Sequence, residues 1–162
     1  MASHSHTAHL LIGSNIDPLE NVHRALLEIC HFGIIRRISR AWQTPAYGSD
    51  GPDFINLAVE LLTPLPLEAF KADAVAGIEH RLARQRSADK NAPRTIDIDI
   101  IRFDGRLLDG SIWVQAHAAI TLAELLPDLV NPETQETLQA AAARLAQTPG
   151  IIERSDVLKK ME

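Results

Sequence analysis

The sequence predicts an α+β fold: an antiparallel sheet with its elements in the order β-α-β-β-α-β, helices on one face, and further helices toward the C-terminus. Three observations carry this. Residues 54–62 alternate between large aliphatic side chains and all others, the period of a strand. Apolar side chains recur at three- and four-residue steps after Pro18 and again after Pro66, the period of a helix. Stretches rich in Pro, Gly, Ser and Asp separate these runs.

The elements follow in order. His9-Leu10-Leu11-Ile12 is a short apolar run that meets Gly13-Ser14-Asn15, so it reads as a buried strand ending at a turn. Asp17 is placed to cap a helix, Pro18 fits its first position, and Leu19, Val22, Leu26 and Ile29 share one face until Gly33 ends it. Residues 34–44 are rich in β-branched and aromatic side chains and read as a second strand, followed by a loop over 45–52. In the third strand Ile55, Leu57, Val59 and Leu61 face one way, while Phe54, Asn56, Ala58 and Glu60 face the other. Pro66 opens a second helix with Leu67, Phe70, Ala74, Ile78 and Leu82 on its apolar side. Residues 84–94 are polar and basic without periodicity, and residues 95–103 form a fourth strand. This is the ferredoxin-like split βαβ order, with additional helices expected near 118–126 and 134–147.

Composition narrows the function classes. A chain of 162 residues with 46% hydrophobic and 23% charged residues reads as one globular domain over 1–162, with 1–7 as a polar tail. Aromatics are only 4%, so aliphatic side chains must build the core. The single cysteine, Cys30, excludes an internal disulfide framework and reads as a packed helix residue. No apolar run has the length of a membrane helix, and residues 1–6 lack the pattern of a secretory signal; the expectation is a cytoplasmic protein without a membrane partner. A net charge of −5 argues against nucleic acid, and nothing demands more than a monomer. His4, His6 and His9 resemble a short metal-chelating tail but complete no metal-ligand spacing, so no metal site is read there.

The chemistry concentrates in residues 84–100. Asp97 and Asp99 are two apart on a strand and project together, while Ile96, Ile98 and Ile100 point the other way. Adjacent carboxylates repel unless a cation sits between them, and hard oxygen ligands suit Mg²⁺, which takes one or two carboxylates plus substrate phosphates. Arg84, Arg86, Lys90 and Arg94 precede them, and guanidinium groups recognise phosphate oxygens with paired hydrogen bonds. Together these parts suit phosphoryl-type transfer; a merely solvated acidic face and a basic solubility loop are the plain alternative. A second group, Thr44-Pro45 with Phe54 and Asn56, offers an aromatic ring and an amide to a planar heterocycle.

Several motifs, in order, resemble the 6-hydroxymethyl-7,8-dihydropterin pyrophosphokinase family: Leu11-Ile12-Gly13-Ser14-Asn15, Thr44-Pro45, Pro52-Asp53-Phe54-Ile55-Asn56, Ile78-Glu79, Arg84-x-Arg86, and residues 93–100, Pro-Arg-Thr-Ile-Asp-Ile-Asp-Ile. The resemblance spans residues 8–132. It implies Mg²⁺-dependent transfer of pyrophosphate from ATP to a pterin hydroxymethyl group, with release of AMP. It implies that Asp97 and Asp99 hold two Mg²⁺ ions, and that Arg84 and Arg94 contact phosphates with Arg86 as a weaker helper. Glu79, Ile100 and His117 would lie near the nucleotide. Phe54 would stack on the pterin, Asn56 would bond its edge, and Thr44 and Pro45 would line that pocket. The chain departs from the family pattern near 115–123, which is shortened and has no counterpart to an arginine and a second stacking aromatic. Trp42, Tyr47 and Trp113 are candidate replacement rings. The competing readings are a relative that binds ATP or a pterin without transfer, and a non-enzymatic interaction domain.

Overall fold

The structure is a computed structural model that describes residues 4–46, 48, 50–85, 88 and 92–160. Arg86, Lys90 and Tyr47, singled out above, lie outside the described residues. The chain forms β1 (His6–Ser14), α1 (Pro18–Ile29), β2 (Ile34–Ile38), β3 (Trp42–Thr44) and β4 (Phe54–Thr63). A second helical segment follows, with α2 (Leu67–Ala69), a π-helical stretch (Phe70–Val75) and α3 (Ala76–Arg81). Then come β5 (Asp97–Phe103), β6 (Arg106–Leu107), a 3₁₀ turn (Gly110–Trp113), α4 (Ala116–Ala123), α5 (Leu138–Leu145), β7 (Ile152–Glu153) and α6 (Asp156–Lys159).

The sheet order is β6-β5-β1-β4-β3-β7, with β2 also on β4, and every pairing is antiparallel. The order of its core strands is that of the expected split βαβ fold. The expected second strand is two strands. β2 pairs with the end of β4 and β3 with its start. Between them the Ser39 hydroxyl accepts from the Ala58 amide at 2.8 Å, replacing a ladder bond with a side-chain one. Residues 6 and 7 belong to β1 rather than to a tail, and the His6 ring stacks on Phe103.

Two cores sandwich the sheet. Ala8, Leu10 and Ile12 of β1 pack with Val22 and Leu26 of α1, Ile78 of α3, and Ile96 and Ile98. Leu11, Ala58 and Ile101 on the opposite face pack with Ala119 and Leu122 of α4 and Leu138 and Ala141 of α5. The C-terminal helices therefore cover the second face, the one that also carries Asp97 and Phe54. Ile101 shares that face with Asp97 and Asp99, and a bulge at this point in β5 returns Phe103 to the first core.

Two local expectations are corrected. Asp17 precedes α1 in the left-handed region, φ 42°, and its side chain makes no cap bond; its carbonyl accepts from Asn21 instead. Cys30 is exposed at the end of α1, where its thiol reaches the Leu26 carbonyl. His9 is buried on β1 beside Glu60, at 2.9 Å, and Arg37 bonds the same carboxylate. Burial, opposed by Glu60, lowers the His9 pKa below 6.5, and the Arg37 hydrogen bond lowers that of Glu60 below 4.5. Both groups hold protons less tightly when folded, so their stability contribution is present at neutral pH and is lost as pH falls through these ranges. Relative to His9→Gln, the unsubstituted chain is expected to lose Tm as pH falls from about 7 to about 5, and paired melts of the two proteins check this.

The end of α3 aims Arg84. The Arg84 amide donates to the Glu79 carbonyl and the Ala83 amide to the His80 carbonyl, a Schellman closure with Ala83 at φ 58°. An L-residue there is strained, so Ala83→Gly is expected to stabilise the fold by about 0.5–1 kcal/mol after the entropy of a more flexible unfolded chain is set against it. A rise of about 2–3 °C in Tm checks this.

Candidate active site

The face shared by β1, β4 and β5 carries a cavity of about 180 Å³ lined by Leu11, Gly13, Thr44, Pro45, Phe54, Asn56, Arg94, Asp97, Asp99, Gln115 and His117. Strand register explains the assembly. Gly13 lies between Asn56 on β4 and Asp97 on β5, and Leu11 lies opposite Asp99. Gly13 is required as a floor: a Cβ there would sit 2.5 Å from the Asn56 side-chain oxygen. Asn56 donates to the Thr44 hydroxyl at 2.7 Å, which fixes both polar groups on the wall beside Phe54.

Asn15, just after β1, ties the flanking segments together. Its amide donates to the Arg94 carbonyl at 3.2 Å and its side-chain oxygen accepts from the Arg94 amide at 2.8 Å. Its side-chain nitrogen donates to the Pro52 carbonyl at 3.1 Å. The loop before Phe54 and the segment before Asp97 are thereby anchored to one residue.

The charged groups form a chain. The Arg84 Nη1 donates to Glu79 Oε1 at 2.8 Å and to Asp97 Oδ1 at 2.9 Å. The Arg94 Nη1 donates to Asp97 Oδ2 at 3.0 Å. Glu79 is buried and also approaches the Ile98 amide, so it holds Arg84 from below rather than lining the cavity. Asp99 is pushed up to about 7 by lost hydration and by the carboxylates of Asp97, Asp109 and Glu79, with Arg84 partly offsetting them. Asp99 stays open to solvent on the cavity side. Burial lowers the pKa of His117, opposed by the Asp97 and Asp109 carboxylates, so it faces the aspartates as a neutral imidazole.

This donor set fits a hard divalent cation. Two carboxylates from one strand face share a cavity, and their mutual repulsion is relieved by a cation between them. Among the described residues no group of three or more His, Cys, Asp or Glu side chains is placed to hold a metal alone, which leaves the remaining ligands to substrate oxygens and water.

Of the residues singled out from the sequence, Thr44, Pro45, Phe54, Asn56, Arg94, Asp97, Asp99 and His117 line this one cavity, with Arg84 bonded to Asp97 at its edge. Ile100 faces the other way and packs against the first core, so its side chain is not in the cavity. Trp113 is buried in the second core, and Trp42 donates to Glu124; neither ring lines the cavity. Gln115 and Leu11 were not singled out. Leu11 follows from its place in β1 opposite Asp99, whereas nothing in the sequence signals Gln115.

Comparison with known proteins identifies the family. The family model for 7,8-dihydro-6-hydroxymethylpterin-pyrophosphokinase (HPPK) matches residues 9–127. A 2-amino-4-hydroxy-6-hydroxymethyldihydropteridine pyrophosphokinase of Methylorubrum extorquens is 32% identical, over 91% of this chain and 97% of its own length. One of the same name from Synechocystis is 32% identical, over 82% of this chain and 73% of its own. A Plasmodium falciparum HPPK-DHPS crystal structure has the same fold, with a TM-score of 0.66 over 88% of this chain at 10% identity; the match spans 46% of that longer chain. The chain belongs to the 7,8-dihydro-6-hydroxymethylpterin-pyrophosphokinase family and thus to the ATP-dependent diphosphotransferases.

Proposed function

We propose that this chain transfers pyrophosphate from ATP to 6-hydroxymethyl-7,8-dihydropterin and releases AMP. The observation that carries this reading is the cavity in which Phe54, Asn56 and Thr44 face the Asp97–Asp99 pair and Arg94, with Arg84 at its edge. The acceptor hydroxymethyl oxygen attacks the β-phosphorus. The bond from that phosphorus to the oxygen bridging it to the α-phosphorus breaks, AMP leaves, and the hydroxyl proton passes to solvent.

The residues of the chain divide this work. Phe54 stacks on the pterin, Asn56 bonds its edge, and Thr44 and Pro45 close the pocket. Arg84 and Arg94 neutralise Asp97 in the free protein; with ATP bound they turn to phosphate oxygens, where bidentate contacts are strongest. Glu79 keeps Arg84 within reach. Asp97 and Asp99 hold two Mg²⁺ ions, which when bound supply charge neutralisation across the phosphates. His117 and Gln115 border the region where the family's second aromatic is missing, and His117 offers a neutral ring there.

Incubation with ATP, Mg²⁺ and 6-hydroxymethyl-7,8-dihydropterin, with AMP measured, tests the reading. AMP that requires both the pterin and Mg²⁺ supports it. Nucleotide binding without pterin-dependent AMP overturns transfer to this acceptor.

A further inference from the structure

We propose that Arg154, outside the family-matched segment 9–127, is a positioning residue that holds the two walls of the acceptor pocket together. The inference rests on the acceptor assignment made above. The pocket walls come from neighbouring strands: Thr44 ends β3, Phe54 begins β4, and the two are register partners. The residues beside them, Gln43 and Asp53, are bonded through Gln43 Nε2 and Asp53 Oδ2 at 2.9 Å. The other end of the Gln43 amide is held from the C-terminal segment, where Arg154 Nη1 donates to Gln43 Oε1 at 2.8 Å. A relay thus runs Arg154–Gln43–Asp53, one residue away from each wall.

Arg154 is itself fixed. Its Nε and Nη2 donate to the two carboxylate oxygens of Asp156, both at 2.9 Å. Its amide donates to the Ala41 carbonyl at 2.8 Å, continuing the β7–β3 pairing of Ile152 with Gln43 and Glu153 with Trp42. Val157, three residues on, is buried in the first core. The same segment runs close to the pocket wall: a Cβ on Gly150, at φ 87°, would lie 3.0 Å from Pro45 Cγ. The guanidinium fork serves Asp156 with one edge and Gln43 with its remaining terminal nitrogen. A lysine ammonium has no such fork.

Calorimetric titration of 6-hydroxymethyl-7,8-dihydropterin, with Mg²⁺ and α,β-methylene-ATP present, tests this on the full chain. Arg154→Ala and Arg154→Lys are each expected to weaken acceptor binding about 10-fold while nucleotide affinity stays within about twofold. Gln43→Glu, which keeps a partner for Arg154 but sets a carboxylate against Asp53, is expected to do the same, and combining it with Arg154→Ala is expected to add little. Asp156→Ala removes the anchoring pair but keeps the Gln43 bond; it is expected to lower Tm without changing acceptor affinity. Parallel loss of nucleotide and acceptor affinity, or equal effects of Arg154→Ala and Asp156→Ala on acceptor binding, overturns the positioning role. So does unchanged acceptor affinity in Arg154→Ala, with the acceptor assignment left standing. Failure of the unsubstituted chain to bind the pterin overturns both.

Discussion

Asp97→Asn and Asp99→Asn are each expected to lower pterin-dependent AMP formation by about 100-fold or more, with effects on stability that differ in sign. Both carboxylates face the cavity, so either loss removes an oxygen donor from the cation and phosphate region. Their surroundings are opposite in charge. Asp97 accepts from Arg84 and Arg94, and its replacement leaves two guanidinium groups without that partner. Asp99 is crowded by carboxylates and binds its proton more tightly in the folded chain, with a pKa of about 7. Its ionisation above that pH therefore costs stability. Melts at pH 8 without Mg²⁺ are expected to show a lower Tm for Asp97→Asn and an unchanged or higher Tm for Asp99→Asn. Near-normal turnover in either variant would remove the two-carboxylate assignment.

How much of this was legible in the sequence depends on the range of the interaction. The period of two placed Asp97 with Asp99 and Phe54 with Asn56, because neighbours two apart on a strand share a face whatever the strand pairs with. The register that puts Gly13 between Asn56 and Asp97 is a property of three strands far apart in sequence, and alternation alone does not set it. Helical spacing located α1 and the helix after Pro66. It did not reveal that the second is π-helical over Phe70–Val75, since Phe70, Ala74, Ile78 and Leu82 still fall on one buried face. The second strand breaks at Ser39 because its hydroxyl takes over a ladder bond, and a serine among β-branched residues gives no such signal. Residues 152–153 are two exposed positions that become a strand only because β3 offers an edge. The apolar run places His9 at the start of a buried strand, but its partners, Glu60 and Arg37, come from other strands and were not legible.

The two site arginines are expected to separate on stability although both lower turnover. Arg84 and Glu79 are nearly enclosed, with side chains 11% and 8% exposed, and they meet at 2.8 Å. Arg84→Ala removes the 2.8 Å ion pair from the buried Glu79 carboxylate, a loss of about 2–4 kcal/mol. Arg94 contributes to the fold through its backbone: its amide and carbonyl pair with Asn15, and alanine keeps both bonds. Arg94→Ala is therefore expected to lower turnover about 100-fold while Tm moves by no more than about 2 °C. A second substitution separates the two roles of Arg84. Adding Glu79→Gln to Arg84→Ala removes the buried charge, so stability is expected to recover in large part while turnover does not, because the Arg84 guanidinium is still missing from the phosphate region. Urea unfolding and AMP formation, measured on the same four proteins, read both quantities. Recovery of turnover along with stability would mean that Arg84 acts on the reaction only by holding the fold.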